Sequence, residues 1–173
     1  SRFSVDIDDK IKFGIVMATH KVADDAGLRS AREKHKPQLE SFRECLESIK
    51  KQSYKNWKVF ICADCYDGDE ELRKVIDEVL DKGDYWYTNL PKPGERTNKT
   101  VLDQGLMHKL GGCKAWNTAY DAMIKQGFKH AVKLGHDDVW TPDHLELHAK
   151  AYTQYPDSKV VWTKTAKKKV NGK

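Results

Sequence analysis

The 173-residue sequence holds no apolar run approaching the roughly 20 residues that a membrane-spanning helix needs. It also lacks a signal-peptide pattern at its start. Cysteine is scarce: Cys45, Cys62, Cys65 and Cys113 are the full set. Cys62 and Cys65 make a CxxC, but a structural zinc site wants a second pair at similar spacing, and Cys45 and Cys113 stand alone. Asp64 and Asp67 beside the CxxC raise its thiol pKa by like-charge repulsion, which opposes redox chemistry. The expectation is four reduced thiols in a cytoplasmic protein. No internal repeat and no low-complexity linker divides the chain, whose length suits one domain, residues 1–173, with a real core. The net charge is +5 and the isoelectric point about 8.9. Part of the excess lies in Lys164, Lys167, Lys168, Lys169 and Lys173, a basic tail over 164–173 read as solvated. The other basic residues are spread among acids, without the interleaved aromatics of a single-strand binder, so no nucleic-acid partner is expected.

What is present alternates. Residues 1–10 are polar and read as a loose lead-in. Apolar runs at 11–19, 57–63, 84–89, 131–134 and 159–163 read as strands, the fourth as a buried one. Between them, 37–52, 70–80, 114–125 and 143–155 have helical spacing, with Pro37 suited to a first turn and Leu39, Phe42, Leu46 and Ile49 on one face. Residues 21–36 and 90–98 read as loops. The order β-α-β-α-β-α-β-α-β predicts an α/β domain with a mostly parallel sheet and helices on both faces.

Three strands end in polar groups: Ala18-Thr19-His20, Asp64, and His136-Asp137-Asp138 after Gly135. In an open α/β sheet, ligands bind outside the carboxyl ends of the strands. Two adjacent carboxylates at such a tip either hold a hard divalent cation, which in turn holds phosphate oxygens, or form a solvated turn. An acid at the second tip can accept from a nucleobase N–H or a ribose hydroxyl. A helix opening at Lys114-Ala115-Trp116-Asn117 presents free N–H groups to an anion. The outline is that of a nucleoside-diphosphate site.

Four segments in register resemble the GT-A glycosyltransferases, in particular the large family two. IKFGIVMATHK is similar to the opening strand. LESFRECLESIKKQSYKNWKVFICAD is similar to the first helix, turn and second strand. GGCKAWNTAYDAM is similar to the helix opening that usually ends in Ala-Arg-Asn. VKLGHDDVWTPDHLE is similar to the Leu-Asp-x-Asp-Asp segment. Together they span about residues 12–161. The resemblance implies a Rossmann-like GT-A fold and transfer of a sugar from a UDP- or GDP-sugar donor to a glycan, protein or lipid acceptor hydroxyl. It implies Mg2+ or Mn2+ assistance and, by analogy, inversion of configuration.

By position, the resemblance implies that Asp64 faces the base or ribose. Ala18, Thr19 and His20 then border the nucleotide, and Lys114 and Asn117 the donor. Asp137 takes the last place of the metal motif, with Asp138 sharing the ion or positioning the sugar. The departures are specific. Gly135 stands where the first acid of that motif belongs; read one residue later, His136 takes its place as a ligand for metal or ribose. Trp116 replaces the usual Arg. Family members continue well past this point into a part implied to carry the acceptor site and the catalytic base. Inside the chain the candidate bases are Asp143, His144 and Glu146, each also readable as a solvated helix face. His144 and His148, spaced i, i+4, can present two imidazoles to one metal, but no third ligand accompanies them. A nucleotide-binding module without catalysis is the alternative reading.

Overall fold

A computed structural model describes residues 6–21, 37–91 and 113–161. The loops expected over 21–36 and 90–98, Gly111-Gly112 and the basic tail lie largely or wholly outside those residues. The elements follow the order β1 (Phe13–Thr19), α1 (Gln38–Lys50), β2 (Trp57–Ala63), α2 (Asp69–Val79), β3 (Tyr85–Asn89), α3 (Cys113–Lys125), β4 (His130–Lys133) and α4 (His144–Gln154). Their boundaries fall within two residues of those expected from apolar periodicity.

All strand pairs are parallel, in the order β3-β2-β1-β4. Strand periodicity sorts the side chains. Phe13, Ile15 and Met17 of β1 and Trp57, Val59 and Ile61 of β2 face one way, into a core shared with α1, α2 and α4. Val16, Phe60 and Cys62 face the other way, against Ala115, Ala119 and Met123 of α3. The chain moves from β1 through β2 to β3 on one side, then returns past β1 to β4. Parallel crossovers are right-handed, so reversing the direction of travel puts the connecting helix on the opposite face, and α3 lies there. Gly14 permits the close approach: a Cβ on it would stand 2.3 Å from Met123 Cγ and Sδ.

The structure corrects three expectations. The run at 131–134 is a partly exposed strand at the edge of the described sheet. Val132 and Leu134 are buried, but Ala131 and Lys133 are exposed, because α3 covers β1 and β2 and leaves that face of β4 open. Lys133 Nζ instead lies 4.1 Å from the centroid of the Trp116 ring, which itself packs on the α3 core. Lys159, Val160 and Val161 form no strand. Val160 is 69% exposed and the segment pairs with no neighbour among the described residues; residues 162–163 lie outside the description. The lead-in is not loose over 6–10. Asp8 N–H donates to Thr153 Oγ1 at 3.0 Å, and Asn56 Nδ2 donates to the Asp9 and Ile11 carbonyls.

Candidate active site

β1, β2 and β4 end at one edge of the sheet, and that edge is where the polar tips meet. β1 and β4 flank the point at which strand order reverses, the place where an open sheet leaves a crevice. Here Thr19 Oγ1 and His136 Nδ1 lie 2.8 Å apart, although 117 residues separate them in sequence. Both are buried. The His20 ring lies 5.3 Å from that of His136, tilted by 31°. One strand over, the Asp64 N–H donates to the Thr19 carbonyl at 2.7 Å, and Asp64 itself is 5% exposed.

The turn after Asp64 is built to hold this tip. Cys65 adopts φ 55°, a left-handed conformation that L residues rarely take. Asn89, at the tip of β3, clasps the turn from outside. Its Oδ1 accepts from Tyr66 N–H and its Nδ2 donates to Tyr66 O, both at 2.9 Å. Cys65 Sγ donates to Pro91 O at 2.9 Å, whereas Cys62 points into the α3 core. All four cysteines are thiols.

The acid pair sits over Gly135. The Asp138 N–H donates to the Gly135 carbonyl at 3.1 Å, closing a turn directly after β4. A Cβ on Gly135 would lie 2.4 Å from Asp138 Oδ2 and 3.7 Å from Asp137 Oδ1. Both carboxylates therefore border the space that the motif's first acid would fill. Beneath them Cys45 of α1 donates to Gly135 O at 3.3 Å. Burial pushes the Cys45 thiol pKa far up, and the nearby Asp138 and Asp137 carboxylates add to it, so it stays protonated. Asp137 Oδ1 lies 3.9 Å from His136 Nε2. The α3 helix opens at the same edge, with Lys114 half-buried and Asn117 exposed in its first turns. Gln38, in the first turn of α1, donates to the His20 carbonyl.

The structure thus gathers Ala18, Thr19, His20, Asp64, His136, Asp137 and Asp138, with Lys114 and Asn117, at one edge. It does not bring Asp143, His144 or Glu146 there. After Trp140 the chain descends along α1. Trp140 N–H donates to Ser48 Oγ, Gln52 Nε2 donates to Thr141 O, and Ser53 N–H donates to Pro142 O. α4 then lies at the end where the strands begin, with Tyr152 against Phe13 and His130. Asp143 accepts from Thr141 Oγ1, and Glu146 faces Lys150 and Ser53. His144 stacks on Trp140 with centroids 4.5 Å apart, and its other neighbour is His148 at 4.6 Å. Among the described residues no group of three or more His, Cys, Asp or Glu side chains is arranged to hold a metal by itself.

Burial holds the His144 pKa down at about 4, helped by His148 and opposed by Asp143, and burial lowers His148 as well. The fold favours the neutral rings, so the unfolded chain takes up protons first. This contribution to stability is complete above the ordinary histidine value near 6.5 and falls as pH drops toward 4. Denaturant midpoints at pH 7 and pH 5 check it: His144→Phe, which keeps a ring on Trp140, is expected to flatten the difference. A pH dependence unaltered by the substitution would remove His144 as its source.

Sequence reading missed Cys45, Asn89 and Gln52 as supports of this edge and of the descent from it. The available signal was position: Cys45 lies on the apolar face of α1 and Gln52 two residues past its end, both buried, where a polar side chain needs a partner.

No protein-family model matches the chain. It is 34% identical over 156 residues to "Uncharacterized glycosyltransferase R139" of Acanthamoeba polyphaga mimivirus, covering 90% of this chain and 57% of that protein. It is 29% identical over 120 residues to "Uncharacterized protein y4gI" of Sinorhizobium fredii, covering 69% of this chain and 11% of that one. Among solved structures, S. aureus TarS 1-349 superimposes with a TM-score of 0.51 at 15% identity, over 84% of this chain and 33% of the TarS chain. The fold is GT-A-like. With that fold, the edge carrying Thr19, Asp64 and Asp137 is the carboxyl edge of the GT-A-like sheet. The chain spans 57% of the viral relative's length.

Proposed function

We propose that this chain is the donor-binding part of a glycosyltransferase that takes a UDP- or GDP-sugar. The reading rests chiefly on one observation: buried Thr19 and Asp64 and the Asp137–Asp138 pair share the carboxyl edge at the strand-order reversal. The likeness to the viral glycosyltransferase supports it. Asp64, buried at the second tip, would accept from the base or ribose. Lys114 and Asn117, at the start of α3, would border the donor. Asp137 and Asp138 suit Mg2+ or Mn2+ in a particular way. Such ions bind through one or two carboxylates and complete their shell with substrate phosphates, and Asp137 and Asp138 are two such carboxylates at the tip of β4, Asp138 lying over Gly135 where a first acid's side chain would start. The ion, when bound, would supply positive charge against the departing diphosphate. The chain's own part is to hold the nucleotide, fix the acid pair and keep the β1 tip dry.

A base that accepts the acceptor's proton as its oxygen attacks the anomeric carbon is also needed. Asp143, His144 and Glu146 lie at the far end of the sheet, which favours a base from elsewhere in a longer protein. The same observation favours the second reading, a nucleotide-binding module without catalysis. Release of nucleoside diphosphate from labelled UDP- and GDP-sugars separates the two. Asp64→Ala is expected to weaken nucleotide binding by about 1–3 kcal/mol, the cost of stranding a buried partner; unchanged affinity by calorimetry would take Asp64 out of the site.

A further inference from the structure

Trp116 stands in the first turn of α3, and the donor-site reading gives it no task. It is half-buried and packs on the core beneath that helix. Lys133, the last residue of β4, places its Nζ over the ring, 4.1 Å from the centroid. An ammonium at that distance is attracted by the face of an indole. The two meet because α3 covers β1 and β2 and leaves this face of β4 open. Among the described residues no carboxylate lies within ion-pair distance of Lys133. The ring thus fixes the place of a positive charge without neutralising it.

The acid pair reaches the same face. Lys133 is in register with Val16, which points toward α3. Leu134 points into the opposite core, so alternation returns Gly135 to the Lys133 side. A Cβ on Gly135 would lie 2.4 Å from Asp138 Oδ2, which puts the Asp138 carboxylate on the α3 side of the tip. The side-chain positions of Lys133 and Gly135 are about 7 Å apart along the strand. A cation held by a ring and a carboxylate suited to a metal ion therefore stand side by side on one face.

We propose that Lys133, held over Trp116, binds the diphosphate of the nucleotide beside the ion that Asp137 and Asp138 carry. This role rests on the donor-site reading. A lysine ammonium is a point charge that suits phosphate oxygens, and one already held in place loses less freedom on binding than one extended into water. A lysine that only covered the indole with its stem would do so equally well without its charge, and the test separates the two.

The wild type and variants are titrated with UDP and GDP by calorimetry, with and without Mn2+. The matching nucleoside is followed by NMR shift changes, which register weak binding. Lys133→Met keeps the stem and removes the charge. It is expected to bind the diphosphate about 10-fold more weakly, the low end of what a hydrogen bond to a charged group contributes, and the nucleoside as the wild type does. Lys133→Arg, which keeps a cation that stacks on aromatic faces, is expected to retain most of the affinity for the diphosphate. Trp116→Leu, which releases the ammonium, is expected to lose part of that affinity, and Trp116→Phe to keep it. Unchanged diphosphate affinity in Lys133→Met, or equal losses for diphosphate and nucleoside, overturns the role of Lys133. Unchanged diphosphate affinity in Trp116→Leu overturns that of Trp116. If the wild type binds neither UDP nor GDP, the donor-site reading fails and this role with it. A wild type that binds, with Lys133→Met binding equally well, leaves that reading standing and removes Lys133 alone.

Discussion

Mn2+ titrated into this protein alone is expected to bind weakly, and the same titration with UDP or GDP present to show much tighter binding. The reason lies in the donor count. With Gly135 in place of an acid, the tip of β4 offers Asp137 and Asp138 and no third carboxylate, and no cluster of three or more ligating side chains exists among the described residues. Two adjacent carboxylates repel each other, and a cation relieves that repulsion. A hard cation held by two protein groups still lacks most of its oxygen shell, which diphosphate would supply. Linkage makes the effect reciprocal: nucleotide must bind more tightly with Mn2+ by the same factor, typically 1–3 kcal/mol for coupled sites. Asp137→Asn is expected to remove most of the enhancement and leave the unfolding midpoint nearly unchanged, because a strand-tip acid buries little apolar surface. If Mn2+ neither binds nor alters nucleotide affinity in the wild type, the metal-dependent reading is lost.

Gln52→Leu is expected to cost about 3 kcal/mol or more of folding stability. Gln52 is fully buried. Its Nε2 donates to the Thr141 carbonyl at 2.7 Å and to Ser48 O at 3.1 Å, and its Oε1 accepts from the Leu145 N–H at 3.0 Å. Asp143 at the start of α4 makes no side-chain cap bond, so the second amide of that helix is capped by Gln52, two residues past the end of α1. An N-terminal helix amide needs such a partner. Leucine fills the volume but strands the buried Leu145 N–H, at about 1–3 kcal/mol, and removes the bonds to the Thr141 and Ser48 carbonyls, at about 1 kcal/mol each. Urea unfolding with an unchanged slope gives the number. A midpoint equal to the wild type would mean that water or another group replaces Gln52 at little cost.

The strands and helices were legible because burial imposes periods of two and about 3.6 on the chain, and β1, β2, α1 and α2 keep those periods cleanly. The polar edge was legible for a related reason: an apolar run that stops at Thr19, Ala63 or Leu134 marks where a strand leaves the core. The place of α4 was not. Its pattern says which face is buried but not at which end of the sheet, so Asp143, His144 and Glu146 looked near the acid pair when they follow it only in sequence. Val160 and Val161 have the composition of a strand, yet pairing is a property of neighbours and not of the segment. Asn89, Cys45 and Gln52 act on backbone groups 23 to 93 residues away, and no local pattern encodes such a pairing.

The strand order β3-β2-β1-β4 also bears on how the molecule assembles. β1, α1, β2, α2 and β3 find their partners among near neighbours along the chain, where loop closure costs least. β4 must return past all of them, and its link to the β1 tip closes a loop of 117 residues. Non-local contacts of that span are slow to form. The polar edge is therefore expected to form only late in folding, when β4 docks. Substitutions along β4 that destabilise the protein would act mainly by hastening unfolding, while the β1–β3 half sets the pace of folding.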